Sequence, residues 1–479
     1  MGQGQSSAGG LQDCLTSAVG SGNLAVPSKP FYQQTDVKPY NLDIHVHPVA
    51  VTYPQTNEDV AAIVRCAKEH EAKVQPRSGG HSYGNFATGN GNDNMIVVDL
   101  KHFKQFSMDD NTWIATLGSG HLLGDVTKKL LANGGRAMAH GTCPQVGIGG
   151  HATIGGLGPM SRMWGSSLDH VQEITVVLAN SSIITASPTQ NKDVFWAMKG
   201  AGASFGIITE FKVITHPAPG EAVKYSFGFS GGSHRDQAKR FKKWQSMIAD
   251  PGLSRKLASQ VVLSEIGMII SGTFFGTQAE YNQLNLTSVF PEMSSHKIIV
   301  FNDWAGLVGH WAEDVGLQLG GGISSPFYSK SLAFTPNDLI PAEGIDRFFE
   351  YLDEVDKGTL IWFGIFDLEG GATNDIPADA TAYGHRDALF YFQSYGVNLG
   401  LKVKDETRDF INGMNSVLEG SLSNHKLGAY AGYVDPALSL EAAQVGYWGD
   451  NLPRLRQIKR AVDPDDVFHN LQSVRPAAS

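Results

Sequence analysis

Two short segments put nucleophile-type side chains beside glycine-dense loops. His81 stands in PRSGGHSYG (76–84), and Cys143 opens CPQVGIGGHATIGGLG (143–158). Glycine loops of this kind can cradle a pyrophosphate with main-chain N–H groups. Read alone, His81 is a loop histidine and Cys143 a buried thiol. Proton-transfer types sit further on: Asp367 in IWFGIFDLEGG (361–371), and Tyr430 and Tyr433 in AYAGYVD (429–435). A phenol with a carboxylate can take a proton from an alcohol. His45 and His47 could share a strand face as metal ligands, but Pro48 follows and no further His and Asp set completes a site, so no metal is expected.

Glycine spacing alone also raises a dinucleotide fingerprint. Gly147-Ile-Gly149-Gly-His-Ala152 satisfies G-x-G-x-x-A, and Gly200-Ala-Gly202 opens a looser version. A Rossmann loop must leave a strand and open a helix. The first match follows AHGTCPQ, which is no buried strand. The second runs from helix-like DVFWAMK into the strand GIITEF, the reverse order. A nicotinamide-type Rossmann domain is therefore not expected.

The elements that must position these residues read as α/β in the first half. Thr56-Asn-Glu-Asp59 forms a capping box ahead of Val60, Ile63, Val64 and Ala67 at helical spacing. MIVVDL (95–100), WIATLG (113–118), ITVVLA (174–179) and GIITEFKVI (206–214) read as strands, and LLGDVTKKLLANGG (122–135) as a helix with a glycine stop. HPAPG (216–220) reads as a linker. Beyond it, amphipathic helices such as 235–248 alternate with β-like runs, and 452–464 is a helix ended by proline. Neither repeats nor low-complexity tracts appear.

The chain has 479 residues, long enough for about two or three domains. At 42% hydrophobic it can bury a core, so a wholly disordered chain is excluded. A net charge of −10 argues against nucleic acid or an anionic membrane surface as partner. No apolar run reaches the ~18 residues of a spanning helix. The 55 glycines imply many close backbone approaches. Three cysteines exclude a disulfide scaffold and leave one thiol over if a pair forms. The sequons at Asn180 and Asn285 fit a secreted protein. The start, MGQGQSSAGG, lacks a leader pattern, so the chain is either cytosolic or a mature secreted chain behind a new Met1.

PRSGGHSYG, HGTCPQVGIGGHATIGGLG, DVFWAMKGAGASFGIITEF and the closing YVDP…YWGDNLPRLRQIKRAVDPDDVFHNLQSV together resemble the vanillyl-alcohol-oxidase-like flavoproteins. The narrower resemblance is to the berberine-bridge-enzyme-like branch with the fungal oligosaccharide oxidases. It implies an α+β chain: an FAD-binding domain over 1–218, a substrate domain with an antiparallel sheet over 219–427, and a return to the FAD domain over 428–479. It also implies FAD bonded through its 8α carbon to His81 and through C6 to Cys143, with Cys14 and Cys66 as a disulfide. That pairing favours the mature secreted chain, and a monomer is expected.

Further roles follow from the resemblance. Arg77, Ser78, Gly79, Gly80 and Ser82 would serve the diphosphate, Val146, Gly147 and His151 the flavin, and Ile208 the adenine end. A small residue at Val146 would admit dioxygen. Tyr433 would be the base and Asp367 its partner, accepting the tyrosine's hydrogen bond. Gly432 stands where the branch has Asn, and strand alternation would turn Tyr430 away from Tyr433. Period two puts Phe363, Ile365, Asp367 and Glu369 on one substrate-facing side. Tyr83, Gln260, Tyr328, Phe363, Gln393 and Tyr395 are the expected sugar contacts, and Trp304, Trp311 and Trp362 further ring platforms. The implied reaction oxidises the anomeric hydroxyl of a reducing oligosaccharide to a lactone, with dioxygen going to hydrogen peroxide. The alternative substrate is an alkaloid-like or other secondary metabolite.

Overall fold

The computed structural model describes residues 3–89, 94–229, 231–319, 323–400, 402–422 and 427–478. Its elements make an α+β fold around three main sheets. The first has Met95–Asp99 between Ala50–Thr52 and Lys73–Arg77, all parallel, with Leu24–Ala25 added antiparallel at the edge. The crossover helix Asn57–Glu69 starts where the capping box predicts: Thr56 Oγ1 accepts from the Asp59 N–H, and Asp59 Oδ2 from the Thr56 N–H. Val60, Ile63, Val64 and Ala67 are buried beneath it. A disulfide between Cys14 and Cys66 ties the helix Gln3–Val19 to this crossover helix.

A five-stranded antiparallel sheet follows, in the order Phe106–Met108, Ile114–Gly118, Ile207–Ile214, Val171–Val177, Ile183–Ala186. The segment read as a linker carries a two-residue strand, His216–Pro217, paired with Arg136–Ala137. Asn180 and Asn285 are both exposed.

The third sheet is antiparallel with seven strands: Ser295–Phe301, Ala222–Gly228, Gly267–Phe274, Leu257–Ser264, Ile361–Leu368, Phe390–Val397 and Phe327–Phe334. The helices His234–Ile248, Ala342–Glu354 and Asp405–Glu419 cover one face, burying Phe241, Trp244, Phe348, Phe366, Phe390 and Phe410. Each such phenylalanine contributes about 2 kcal/mol by leaving water. That cover leaves the other face to look back at the glycine loops.

The helices Leu440–Trp448 and Leu452–Val462 pack against the five-stranded sheet. Lys459, fully buried, donates to the carbonyls of Ser204 and Phe468 and pairs with Asp463. No helix among the described residues is long and apolar enough to cross a membrane.

Candidate active site

Between the glycine loops and the free face of the seven-stranded sheet lies a cavity of about 500 Å³. Its loop end is made of close backbone approaches. A Cβ on Gly79 would stand 2.3 Å from the Gly147 nitrogen, and one on Gly147 would stand 2.1 Å from the Gly79 nitrogen. Gly80 turns with φ of 73°, a conformation that favours glycine. Ser78 fastens the loops by donating its hydroxyl to the Ser119 carbonyl at 2.6 Å. Gly79, Gly80 and His81 line the cavity, and their N–H groups have no hydrogen-bond partner among the described residues. Such free donors suit a phosphate-bearing cofactor. Ser82, Val146, Gly147, His151 and Ile208 line the same space.

His81 and Cys143 both reach this cavity. Burial holds the imidazole down to about 4, so at neutral pH it is uncharged and has a lone pair for bond formation. Its ring stacks on Tyr40 with centroids 4.4 Å apart. Cys143 donates to Gln145 Oε1 at 3.2 Å. Burial pushes its thiol up, away from the thiolate that nucleophilic attack requires. The imidazole is therefore the readier nucleophile of the two.

On the sheet, cross-strand rows define the wall. Gln260 is opposite Asp367, Val262 opposite Ile365 and Ser264 opposite Phe363; Ile365 is also opposite Gln393, and Phe363 opposite Tyr395. Asp367, Ile365, Gln260, Val262, Gln393 and Tyr395 line the cavity. Gln393 donates to the Tyr83 hydroxyl at 3.1 Å, and Gln260 to Ser271 Oγ at 3.3 Å. Burial pushes the Asp367 carboxyl up to about 7. Burial first, and then the Asp367 charge, raises the Tyr433 phenol well above its ordinary value. The Tyr433 ring stacks near Tyr83 at 6.5 Å.

Several expectations need correction. Arg77 does not line the cavity: its guanidinium pairs with Asp99 and donates to the carbonyls of Asp36 and Val37. Tyr328 points to the helix side of the sheet, where it donates to Asn412 Oδ1; its neighbour Phe327 faces the cavity. Phe363 is on the cavity side but packs on Val262, Ile365 and Tyr395 instead of lining the space. Trp362 lies in the helix-side core and donates to Glu265, and Trp304 packs on Trp311; of the three tryptophans only Trp311 reaches the cavity.

Tyr430 and Tyr433 lie on a turn, not a strand, closed by the Tyr433 N–H donating to the Tyr430 carbonyl. Both therefore face the cavity, rings edge-on at 5.0 Å. The Tyr430 hydroxyl accepts from the Gly156 N–H, whereas that of Tyr433 has no partner among the described residues, Asp367 included. The glycine at 432 has a steric reason: a Cβ there would stand 2.3 Å from the Tyr430 ring. Tyr40, which carries no motif, also lines the cavity, as do Asn470, Gln472 and Ser473, which stand in the closing HNLQSV segment but have no role assigned from sequence.

The chain matches two family models, "FAD binding domain" over residues 48–187 and "Berberine and berberine like" over 429–475. It is 42% identical over 471 residues to the FAD-linked oxidoreductase sorD of Penicillium rubens, covering 97% of this chain and 98% of that protein. Its fold is similar to that of a xylooligosaccharide oxidase from Myceliophthora thermophila in complex with xylobiose, with a TM-score of 0.89 and 32% identity over 98% of this chain and all of the other. It is also similar, with a TM-score of 0.88 and 30% identity over 98% of this chain and all of the other, to the glucooligosaccharide oxidase of Acremonium strictum, described with a 6-S-cysteinyl, 8α-N1-histidyl FAD.

Proposed function

The chain belongs to the berberine-like family of FAD-linked oxidoreductases with the vanillyl-alcohol-oxidase fold, and on that premise we propose that it oxidises a substrate hydroxyl to a carbonyl at the cavity between its two parts. The cofactor part is 1–218 with 428–479, and the substrate part is 219–427. The chemistry FAD supplies when bound is hydride acceptance, with dioxygen as the final oxidant giving hydrogen peroxide. His81 and Cys143 hold it covalently, and the loops at Ser78–Ser82, Gly147 and His151 receive the rest.

The observation that carries the reading is Tyr433 and Asp367 facing one cavity with their oxygens uncommitted. Tyr433 takes the proton from the substrate oxygen and gives its own to Asp367. A neutral tyrosine is far too weak a base to keep a second proton, so it ends neutral as it began and the carboxylate is the final holder. Val146 leaves room for dioxygen. The protein acts outside the cell, in keeping with its disulfide, and as a monomer.

The first donor is the anomeric hydroxyl of a reducing oligosaccharide, giving a lactone that water opens to an aldonic acid. The oligosaccharide oxidases among its structural relatives support it, as do Tyr83, Gln260, Gln393 and Tyr395 on one wall. A second reading, an alcohol or phenol on an apolar ring system, is favoured by the row next to Asp367. There Val262 and Ile365 offer branched alkyl groups where a sugar would present further hydroxyls. Each hydroxyl buried without a partner costs about 1–3 kcal/mol.

The test has two steps. Acid precipitation should leave the flavin absorbance with the pellet. Anaerobic mixing with xylo-, cello- and chito-oligosaccharides and with aromatic alcohols then follows flavin bleaching. Bleaching by sugars supports the first donor, and bleaching by aromatic alcohols alone supports the second. A flavin that no hydroxyl compound bleaches defeats both.

A further inference from the structure

Glu369 follows Asp367 by two residues, lines the same cavity and is 6% exposed. Its main chain is fully engaged: the N–H donates to the Leu389 carbonyl at 2.8 Å, and the carbonyl accepts from the Arg162 guanidinium at 2.6 Å. Its side chain is not. Oε2 is buried and has no hydrogen-bond partner, and no ion pair reaches the carboxyl among the described residues. Arg162 spends its guanidinium on the carbonyls of Leu257, Ser254 and Glu369 itself. The groups facing Glu369 are Asp367 on its own run, Arg162 on the helix Ser161–Trp164, Tyr391 on the next strand, Tyr383, and Tyr430 and Tyr433 on the C-terminal turn. The hydroxyls of Tyr383 and Tyr391 bond each other at 2.8 Å, and that of Tyr430 is taken by Gly156.

Two carboxylates two residues apart in one cavity, Asp367 on the strand Ile361–Leu368 and Glu369 one residue past its end, with no cation on either oxygen pair among the described residues, are not both kept charged. The more deeply buried one gives up its charge first. We propose that Glu369 is the proton holder of this site, staying a neutral acid through the working pH range and so leaving Asp367 as the one ionised carboxylate able to receive the proton of Tyr433.

The inference rests on the Tyr433–Asp367 reading above. The proton count closes: the substrate O–H proton goes to Tyr433, the Tyr433 proton to Asp367, the C–H hydride to FAD, and Glu369 gains and loses nothing. The direction of titration agrees. Burial raises Glu369 well above the ordinary carboxyl range, the Asp367 charge adds to that, and Arg162 opposes it less, whereas Asp367 rises only to about 7. Glu369 is thus a positioning residue, acting through Asp367.

Infrared spectroscopy of the holoenzyme tests this directly, because a protonated carboxyl has its own carbonyl stretch, which moves in heavy water. At about pH 8.5, where ordinary carboxyls are ionised, wild type and Asp367→Asn should keep this band and Glu369→Gln should lack it. Glutamine copies the neutral acid, so the acid limb of the pH–rate profile should keep its midpoint in Glu369→Gln. Absence of the band from wild type at that pH overturns the proposal. So does an acid limb displaced downward by a unit or more in Glu369→Gln, since it would mean that a negative charge had been removed. If Glu369→Gln does not fold, the band in wild type and Asp367→Asn still decides. An Asp367→Asn enzyme that turns over at the wild-type rate with the band intact would instead refute the Tyr433–Asp367 pair and leave the Glu369 assignment standing.

Discussion

Tyr433 is asked to be a base in surroundings that hold its proton on. Burial and the nearby Asp367 charge both raise its phenol, so a resting tyrosinate is not available. Proton removal must then be concerted, with Asp367 receiving as Tyr433 gives. Tyr433→Phe should lower the rate of flavin reduction by about 10²–10⁴-fold, the usual worth of a positioned acid–base group. Anaerobic stopped-flow measurement checks it, and near-wild-type reduction would refute the assignment. Asp367 carries a second, thermodynamic signature. Its folded value, about 7, lies above its ordinary range, so the native state binds this proton more tightly than the unfolded chain. Its contribution to stability is fully present below the unfolded value near ~4 and is lost as pH rises through about 7. Asp367→Asn has no such loss. Its melting temperature should therefore gain on wild type between about pH 5 and pH 8, read by thermal shift, and a constant difference would show that the carboxyl is not desolvated.

The elements explain which parts of this site were legible. His81, Cys143 and Tyr433 lie in loops and a turn whose glycines let backbones touch, and it is the resemblance of these whole segments, not the residues read alone, that implies their roles. Arg77 stands at the head of the same glycine-dense stretch but is the last residue of the strand Lys73–Arg77, and it turns away because the carbonyls of Asp36 and Val37 and the carboxylate of Asp99 claim it. Nothing in PRSGGHSYG encodes those partners. Tyr328 failed for a different reason: a strand's period is two, and one residue of phase exchanges the cavity for the helix-covered core. Phe327, one position earlier, holds the face that Tyr328 was expected to hold. The loop contact between Gly79 and Gly147 gives this scale its own prediction. A methyl at Gly147 would meet the Gly79 nitrogen and the Ser78 hydroxyl at 2.1 and 2.2 Å, both on a loop that cannot withdraw without opening the cradle. Gly147→Ala should purify with its flavin content reduced several-fold while its far-ultraviolet circular dichroism stays native. A full flavin complement in that variant would show that the cradle does not depend on this contact.

At the scale of the whole molecule, the site exists only while three lengths of chain stay in register. The glycine loops come from the first part, Asp367 and its wall from the seven-stranded sheet, and Tyr433 from the C-terminal return. Buried ionic contacts fasten the first two. Arg386 makes a two-armed pair with Asp169, with side chains 2% and 6% exposed, and also donates to Thr381. Such a pair adds little over well-packed apolar residues, but removing one partner strands the other charge at a cost of about 3–5 kcal/mol. Arg386→Met should impose that cost on the junction itself, with the hydrophobic cores of the two parts left intact. Because the junction is what makes the parts unfold together, heat should then release them in sequence. In wild type, flavin fluorescence and tryptophan fluorescence should change in one coincident transition. In Arg386→Met the flavin signal should move to lower temperature and the tryptophan signal should split into two steps, since Trp113, Trp164, Trp196 and Trp448 lie in 1–218 and 428–479 and Trp244, Trp304, Trp311 and Trp362 in 219–427. A variant that still melts in a single transition, merely earlier, would mean that the contacts at the cavity couple the parts and that Asp169–Arg386 only adds stability to one of them.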